Sequence, residues 1–151
     1  MIDDEDYAQF SKWKWKASHN DSSHYRYATR SVTPTKSNPN HRTIVMHREI
    51  MKALPGQFVD HVNGNSLDNR KENLRLCTHA DNMRNRRISK GTRSGMKGVH
   101  ANANGKRWIA HIQFNKKQRH LGVFDTKEEA ATCYNNEAKR LFGEFHKPNS
   151  L

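Results

Sequence analysis

The sequence predicts an α+β protein, and three observations support this fold class. Residues 57–90 have the pattern of a short strand, a long polar loop, a second strand and a helix. Residues 97–143 have the pattern of a small three-stranded antiparallel sheet followed by one helix. Between them, residues 89–95 contain no apolar side chain, which is typical of a linker. Two small modules joined by a basic linker are therefore expected.

The N-terminal part predicts a hairpin, a loop and a short helix. Residues 12–18 and 24–31 alternate polar with apolar or aromatic side chains, and the residues between them favour a turn. Residues 32–41 contain two prolines and predict a loop. The following segment is strand-like, becomes helical at about Met46 and stops at Pro55.

The next unit is the most informative part of the chain. QFVDHV predicts a short strand, NGNSLDNRKE a loop that begins with an Asn-Gly turn, and NLRLC a second strand. Thr78 is followed three residues later by Asp81, an arrangement that caps helix N-termini. We expect this helix to run to about Ile88.

The C-terminal part predicts strands over residues 97–101, 107–114 and 119–124, joined by tight turns at Asn104-Gly105 and Asn115-Lys116. A helix is expected from Thr126, and Gly143 ends it. The predicted domains are residues 1–90, with the strand, loop, strand and helix core at 57–90, a linker at 91–95 and a C-terminal domain at 96–151.

The charge is unevenly distributed along the chain. The 151 residues include 27 Lys or Arg and 15 Asp or Glu, a formal net charge of +12. Residues 82–124 contain eleven of the basic residues and no acidic one. A block of this kind is hard to explain as a uniformly solvated surface, and it predicts a polyanionic partner.

Several protein classes are not favoured. No apolar run approaches the length of a membrane span, and the acidic N-terminus does not resemble a signal peptide. We therefore expect a soluble, cytoplasmic protein with no membrane partner. Cys77 and Cys133 lack the spacing of a zinc knuckle or a disulfide framework and are expected to be small buried side chains.

Residues 60–76, DHVNGNSLDNRKENLRL, with HADN at 79–82 and HREI at 47–50, resemble the HNH nucleases. The likeness is greatest to the homing endonucleases encoded by phages and introns. The resemblance implies a ββα-metal unit that hydrolyses DNA. Hydrolysis of a phosphodiester needs an activated water and a cation to neutralise the developing charge.

The same resemblance assigns roles to four residues. His61 would be the general base, because an imidazole with a pKa of ~6.5 is neutral at cellular pH. Asn73 would aim His61 by tying the loop to the second strand. Asp60 and Asn82 would be the oxygen ligands of one divalent ion, Mg²⁺ with Mn²⁺ as the alternative, and the ion is expected to bind weakly without DNA.

Alternatives remain open at this point. His79 is the rival metal ligand to Asn82, and His47 is interpreted as a structural residue or a phosphate contact. Adjacent strand residues face opposite sides, so Asp60 and His61 serve one site only if the strand ends, twists or bulges there. Four further polar loop residues are interpreted mainly as turn formers: Asn63, Asn65, Asp68 and Asn69.

Residues 94–134, with LFGEF from 141, resemble the AP2 DNA-binding domain. In that family a three-stranded sheet lies against DNA and its back packs on one helix. The resemblance implies DNA contacts on the strands from Lys97, His100, Arg107, Trp108 and Arg119. Trp108 is equally well interpreted as a core residue. Phosphate contacts are also expected from basic residues between the modules: Arg84, Arg86, Arg87, Lys90 and Arg93.

The leading hypothesis is a metal-dependent DNA endonuclease of the HNH homing type that nicks or cleaves double-stranded DNA. It would act as a monomer without a small-molecule substrate, and a phage or mobile element would encode it. The alternative is a DNA-binding transcriptional regulator with an inactive nuclease motif. The intact residues Asp60, His61, Asn73 and Asn82 argue against that alternative.

Overall fold

A computed structural model of the chain describes residues 1–18, 26–33, 42–86, 88 and 92–151. Small antiparallel sheets and helices make up these residues, which confirms the α+β class. Two compact units are present, Met1–Asn82 and Met83–Leu151. The predicted linker at 91–95 begins outside the described residues, so the proposed domain limits stay a prediction.

The first unit begins with a helix that the sequence did not suggest. Helix α1 covers Asp4–Phe10, with three acidic residues in its first turn and Phe10 buried at its end. Three antiparallel strands follow in the order β1, β2, β3: Lys16–Ala17, Ala28–Val32 and Arg42–Val45. The predicted turn at 19–23 and most of the predicted loop at 32–41 lie outside the described residues.

Helix α2 covers Met46–Ile50 and begins at the predicted residue. Strand β4, Phe58–His61, then pairs with β5, Leu74–Cys77, and a short 3₁₀ turn precedes β5 at Lys71–Asn73. The core of this unit consists of five buried apolar residues from α1, α2, β4 and β5: Phe10, Met46, Ile50, Val59 and Leu74.

Helix α3 covers His79–Asn85 and is shorter than the helix predicted to reach Ile88. Its start matches the prediction, since the Asp81 N–H donates to Thr78 Oγ1 at 3.2 Å and Thr78 Oγ1 donates to Asp81 Oδ2 at 2.6 Å. At its end, Lys97 Nζ donates to the carbonyl of Arg84 at 2.8 Å. An ammonium at this position satisfies a helix-terminal carbonyl and favours termination there.

The C-terminal sheet has the order β6, β7, β8, from Val99–Ala101, Trp108–Phe114 and Lys117–Phe124. Asn115 and Lys116 both have positive φ, 50° and 62°, as a two-residue hairpin turn of type I′ requires. Helix α4, Lys127–Phe142, starts with a capping box between Thr126 and Glu129. A second 3₁₀ turn follows at Gly143–Phe145.

One face of this sheet packs on α4. Val99, Ala110 and Ile112 are buried on that face, and the core cluster also contains Met96 and two alanines of α4. A β-bulge between Ala110 and His111 shifts the register, so that Leu121 has no direct partner in β7. Cys77 and Cys133, expected to be buried, are partly exposed and both are free thiols. None of the described helices combines the length and apolar character needed to cross a membrane.

Gly98 generates a stability prediction. Its φ is +66°, and a Cβ at this position would overlap the carbonyl oxygen of His111 and the ring of Tyr134. We expect Gly98→Ala to lower the free energy of unfolding by about 2 kcal/mol or more, through backbone strain and overlap together. Thermal denaturation followed by circular dichroism measures this loss.

Gly105→Ala is the matched control, because Gly105 has a similar φ of +70° and a Cβ there would meet no atom within 4 Å. Gly105→Ala should lower the free energy of unfolding only through backbone strain, by about 1 kcal/mol. Equal losses in the two variants would contradict the close approach of Tyr134 to Gly98.

Candidate functional site

His61 is the last residue of β4 and is 6% exposed. Its Nε2 lies 3.4 Å from Oδ1 of Asn69, the amide oxygen of a residue that is itself 1% exposed. An amide oxygen only accepts hydrogen bonds, so the proton in this contact belongs to His61 Nε2. The tautomer defined in this way has its lone pair on Nδ1, where the ring can take up a proton.

Two aromatic rings pack around His61. The ring of His47, in α2, meets His61 nearly edge-on with centroids 4.9 Å apart, and Tyr27 lies 5.1 Å from His47 and 6.1 Å from His61. His47 is 7% exposed, and its Nδ1 has no hydrogen-bond partner in the part of the chain that the structure describes. The interpretation of His47 as a structural residue agrees with this burial.

Burial lowers the pKa of both imidazoles. The pKa of His47 falls to about 3, because burial disfavours its charged form and the neighbouring His61 and Arg48 add to the effect. The pKa of His61 is also lowered by burial, and this is partly offset by the Asn69 hydrogen bond and by the carboxylates of Asp60 and Asp68. Both rings are therefore neutral at pH 7, the state in which an imidazole accepts a proton.

Asn73 ties the loop between β4 and β5 to its start. Its Oδ1 accepts from the N–H of Asn63 at 2.9 Å, and its Nδ2 donates to the carbonyl of Asp68 at 2.8 Å. Its own carbonyl accepts from Val62 N–H at 2.9 Å. Through these bonds, one buried residue holds the start and the end of the loop together. A residue that positions the loop needs contacts of this kind.

The centre of the loop is an ion pair between a buried carboxylate and a partly exposed guanidinium. Asp68 is 1% exposed and accepts from Arg70 Nε at 2.9 Å, from Arg70 Nη2 at 2.8 Å and from Asn63 Nδ2 at 3.0 Å. These donors hold the pKa of Asp68 well below its usual range. Asn65 has the simpler turn-forming role expected from the sequence, since its Oδ1 accepts from the Leu67 N–H.

N-terminal residues hold the same loop from outside. The amino group of Met1 donates to the Leu67 carbonyl at 2.9 Å, and the Met1 carbonyl accepts from the Asn69 N–H at 2.9 Å. Asp3 Oδ2 accepts from the Lys71 N–H at 2.7 Å. The backbone of Asn69 is thus fixed independently of its side chain, which leaves the amide directed at His61.

Asp60 faces the opposite side of β4 from His61. It lies directly across from Arg75 in the ladder, and Arg75 Nε and Nη2 donate to its Oδ2 at 2.9 and 2.7 Å. The register is regular from Phe58 to His61, and the Val62 N–H continues the ladder by donating to Asn73. No bulge brings the Asp60 carboxylate round to the imidazole, and the two side chains follow the ordinary alternation of a strand. The strand does end at His61, which is one of the conditions under which both residues were expected to serve one site.

Asp60 and Asn82 both lie next to Cys77. Burial raises the pKa of the Cys77 thiol to about 11, and the charges of Asp60 and Asp81 add to this rise. The charge of Arg75 and a hydrogen bond from the Asn82 backbone N–H lower this pKa and offset part of the rise. The structure therefore places the Asp60 carboxylate and the Asn82 backbone near one neutral thiol. His79, the rival ligand, is exposed and packs edge-on against Phe58 with ring centroids 5.1 Å apart.

The donors near Cys77 fit only a hard cation that keeps most of its water. Within the described ranges, no group of three His, Cys, Asp or Glu side chains is close enough to hold a metal ion. A carboxylate and an amide suit Mg²⁺ or Mn²⁺, which tolerate few protein ligands, whereas a protonated thiol is a poor ligand for soft metals. Arg75 already pairs with Asp60, which opposes a second cation.

The basic residues near α3 have mixed surroundings. Arg86 and Arg93 are exposed, whereas the guanidinium of Arg84 stacks 4.5 Å from the Phe142 ring centroid. Lys97 is half-buried, and burial next to Lys147 lowers its pKa to about 8. Arg87 and Lys90 lie outside the described residues. The expected phosphate contacts stay predictions.

The strand residues expected to contact DNA divide between the two faces of the C-terminal sheet. His100 is exposed, and Arg107 is exposed but pairs with Asp125 at 2.9 Å. Trp108 packs against the core next to α4, which favours its interpretation as a core residue. Arg119 lies opposite buried Ile112, and its guanidinium stacks on Phe114 on the helix-packed face.

Sequence reasoning missed Asn69 as a functional candidate. It treated the residue as a turn former, because Asn is common in loops and its distance of eight residues from His61 matches no periodic pattern. The contact depends on the path of a long loop, which local sequence does not specify. Arg75 was missed for a different reason, since its pairing with Asp60 depends on the strand register.

Comparison with known proteins gives one family match and several relatives. A family model described as HNH endonuclease matches residues 52–84. A protein named as an uncharacterized HNH endonuclease of Acanthamoeba polyphaga mimivirus is 37% identical over 94 residues, which cover 62% of this chain and 48% of that protein. The chain thus spans about half the length of this relative.

Two further relatives are similar over comparable lengths. Protein 3.8 of Escherichia phage T7 is 30% identical over 90 residues, 60% of this chain and 74% of that protein. An ethylene-responsive transcription factor of Arabidopsis thaliana is 37% identical over 99 residues, 64% of this chain and 28% of that protein. These similarities agree with a nuclease region joined to an AP2-like region.

The Asp68–Arg70 pair generates a prediction about pH. Because the folded pKa of Asp68 lies below its unfolded value of about 4, the pair stabilises the fold above that pH and its contribution is lost as pH falls below it. We expect Asp68→Asn to lower the free energy of unfolding at pH 7 by roughly 1–3 kcal/mol. The difference from the wild type should shrink at pH 3, as urea denaturation at both pH values measures.

Asp125→Asn is the control, because the Arg107–Asp125 pair is exposed and surface pairs contribute little. A difference between wild type and Asp68→Asn that stays constant from pH 7 to pH 3 would contradict the assigned role of the buried carboxylate.

Proposed function

We propose that this chain, which belongs to the HNH endonuclease family, is a metal-dependent endonuclease that hydrolyses phosphodiester bonds in double-stranded DNA. One observation carries the proposal. Within the segment that matches the family, the structure presents a buried, neutral imidazole, His61, held by a buried amide. Neutral imidazole is the form that removes a proton from an attacking water.

In the proposed reaction, His61 takes one proton from a water as that water attacks phosphorus, the bond to the leaving 3′ oxygen breaks, and this oxygen takes a proton from solvent water. The products are a 5′-phosphate and a 3′-hydroxyl end. Asn69 fixes which ring nitrogen carries the initial proton, and the proton is accepted at Nδ1. When the ring becomes cationic, the carboxylates of Asp60 and Asp68 stabilise its charge.

The loop supplies rigidity. General-base catalysis needs the base within hydrogen-bond distance of the water, and small displacements reduce the rate strongly. The Asn73 bonds and the Asp68–Arg70 pair fix the loop backbone, and through it Asn69, without touching the imidazole themselves. Asn73 is therefore proposed to be a positioning residue.

Asp60 and Asn82 are the residues that would hold a divalent cation, Mg²⁺ or Mn²⁺. A bound cation would neutralise negative charge on the phosphate and on the leaving oxygen. Arg75, paired with Asp60, holds a fixed positive charge at the same place and helps to attract the DNA backbone. With so few protein ligands, cation binding is expected to be weak in the absence of DNA.

The basic segment and the AP2-like region are proposed to hold the duplex. All eleven basic residues of 82–124 follow the position of Asn82 in the chain, without an acidic residue to oppose them. Affinity from such contacts depends steeply on salt concentration. Relatives from a giant virus and a phage support the further proposal that the gene belongs to a virus or mobile element, in which the enzyme acts as a homing endonuclease.

A second candidate function is DNA binding without cleavage. Two observations favour it, namely the Arg75 guanidinium on Asp60, which competes with a metal ion, and the similarity to a plant transcription factor. A nuclease and a regulator differ in whether the bound duplex is cut, so one assay distinguishes them.

Supercoiled plasmid incubated with the protein and Mg²⁺ or Mn²⁺ should be nicked, and EDTA should prevent it. We expect His61→Ala to lower the nicking rate by roughly 10²- to 10⁴-fold, the usual contribution of a general base. DNA binding in EDTA, measured by gel shift, should be unchanged. His146→Ala, which removes an imidazole from the C-terminal unit, is the control and should nick at the wild-type rate.

Wild-type protein that binds duplex DNA tightly but cuts it with neither ion would reject the nuclease and support the regulator. If His61→Ala nicked DNA at the wild-type rate, the protein would still be a nuclease, but His61 would not be its general base.

Asn69 can be tested as the residue that orients His61. Asn69→Leu removes the acceptor while nearly preserving size, and we expect it to lower kcat by about tenfold or more with KM for DNA unchanged. Asn69→Asp, which keeps an oxygen acceptor, should retain most of the activity. Single-turnover nicking at saturating DNA measures both variants.

Asn65→Leu is the control, because Asn65 lies in the same loop and its side chain bonds only to backbone in the described structure. If Asn69→Asp were as slow as Asn69→Leu, a purely structural role would replace the proposed one.

A further inference from the structure

The C-terminal sheet has one face that α4 does not cover. Since directly paired strand residues point to the same side, the register defines this face independently of family resemblance. Ala110 pairs with Val99 and Gly122 on the side packed against α4, so the residues that alternate with them point away from the helix. We call this the open face; it contains His100, Ile109, His111, Gln113, Gln118, His120 and Val123.

Two amides are directly paired on the open face. Gln113 lies opposite Gln118 near the end of the β7–β8 hairpin, and both side chains are exposed. In the part of the chain that the structure describes, neither amide makes a hydrogen bond, so their donors and acceptors face solvent. Together with His111, Gly98 and Tyr134 they line a depression of about 350 Å³.

The next pairs along the face consist of imidazoles and of aliphatic side chains. His111 lies opposite His120, and Ile109 lies opposite Val123, whose side chain is 42% exposed. The exposed valine, which the His111–His120 pair separates from the amides, gives the face methyl groups as well as hydrogen-bonding groups. No Lys or Arg is among the seven residues of the face.

The basic residues of this sheet lie elsewhere. Arg107 precedes β7 and pairs with Asp125, and Lys116 and Lys117 lie at the hairpin turn. Arg119 points to the helix-packed side, where it stacks on Phe114. The positive charges are therefore at the rim and on the opposite side, and the open face itself carries amides, imidazoles and methyl groups.

We propose that the open face selects A·T base pairs in the DNA major groove, through the Gln113 and Gln118 amides and the Val123 and Ile109 methyl groups. This inference rests on the proposed function, because it assumes that the sheet meets duplex DNA. It adds the base preference, which neither the sequence nor the comparisons supplied.

The groove chemistry matches these side chains. A glutamine amide donates to N7 and accepts from N6 of adenine, and the thymine methyl favours apolar contact. Guanine is most often selected by arginine or lysine, which donate to its two adjacent acceptors, and this face contains neither. Basic residues at the rim contact phosphates, which positions the sheet but carries no base preference.

The experiment is selection from a pool of duplexes with a randomised centre, using the full chain in EDTA so that bound DNA is not cut. Bound duplexes are separated by gel shift and sequenced. We expect enrichment of A·T pairs at two or more central positions. Gln113→Ala combined with Gln118→Ala should reduce this preference by about tenfold, while total affinity falls less.

A second double variant tests for a changed base preference, so that the test does not depend only on the loss of the A·T preference. Gln113→Arg with Gln118→Arg should shift the enriched positions toward G·C, since guanidinium groups pair with guanine. The control is Gln9→Arg, an exposed glutamine in α1, which adds charge without altering the open face. All substitutions are at exposed residues, and thermal denaturation verifies that each variant is folded.

Each result decides the proposal. A wild-type pool with no base preference, or one rich in G·C, overturns it, as does an unchanged preference in the double alanine variant. Plasmid nicking with Mg²⁺ is measured in parallel. Nicking without A·T preference overturns only this inference, whereas protein that neither binds nor nicks duplex DNA overturns the proposed function as well.

Discussion

The alternation of side chains along β4 is the constraint on which the candidate site depends. Because successive strand residues point to opposite faces, Asp60 and His61 enter different environments although they are adjacent in the chain. Asp60 meets a guanidinium and the region of α3, and His61 meets two aromatic rings and a loop amide. Under the proposed function, one short strand would therefore supply an oxygen ligand of the metal ion on one side and a general base on the other.

Separation of the two side chains explains why the loop after β4 is so heavily bonded. The Asp60 carboxylate lies on the opposite face of β4, and the side chain that contacts His61 Nε2 is the amide of Asn69, eight residues later. A loop of this length orients a side chain only if its backbone is fixed, and Asn73, Asp68 and the N-terminal residues fix it. The polar composition of the loop, which the sequence suggested was ordinary turn chemistry, is mainly a framework for one imidazole.

The elements that sequence predicted well are those with local causes. The start of α2 at Met46, the Thr78 cap and the turn at Asn115-Lys116 follow from residue preferences within a few positions, and the structure confirms them. The elements that it missed have distant causes. Helix α1 is stabilised by the burial of Phe10 against residues more than thirty positions away, and α3 ends early where Lys97 bonds its last turn. The Asp60–Arg75 pair follows from register, and the Asn69–His61 contact from the course of the loop.

The same alternation of strand residues gives the two faces of the C-terminal sheet different surroundings. One side is apolar and small because α4 packs on it, so the groups that could read DNA are confined to the other. The net charge of the segment suggested that its basic residues make the contacts that matter. Charge, however, acts on phosphates that are the same at every base pair, and it cannot distinguish one sequence from another. Selectivity must come from groups that reach the base edges, and on the open face these groups are amides, imidazoles and methyl groups. Under the two proposals, the basic block would therefore account for how strongly a duplex is held, and the residues of the open face would account for which duplex is preferred.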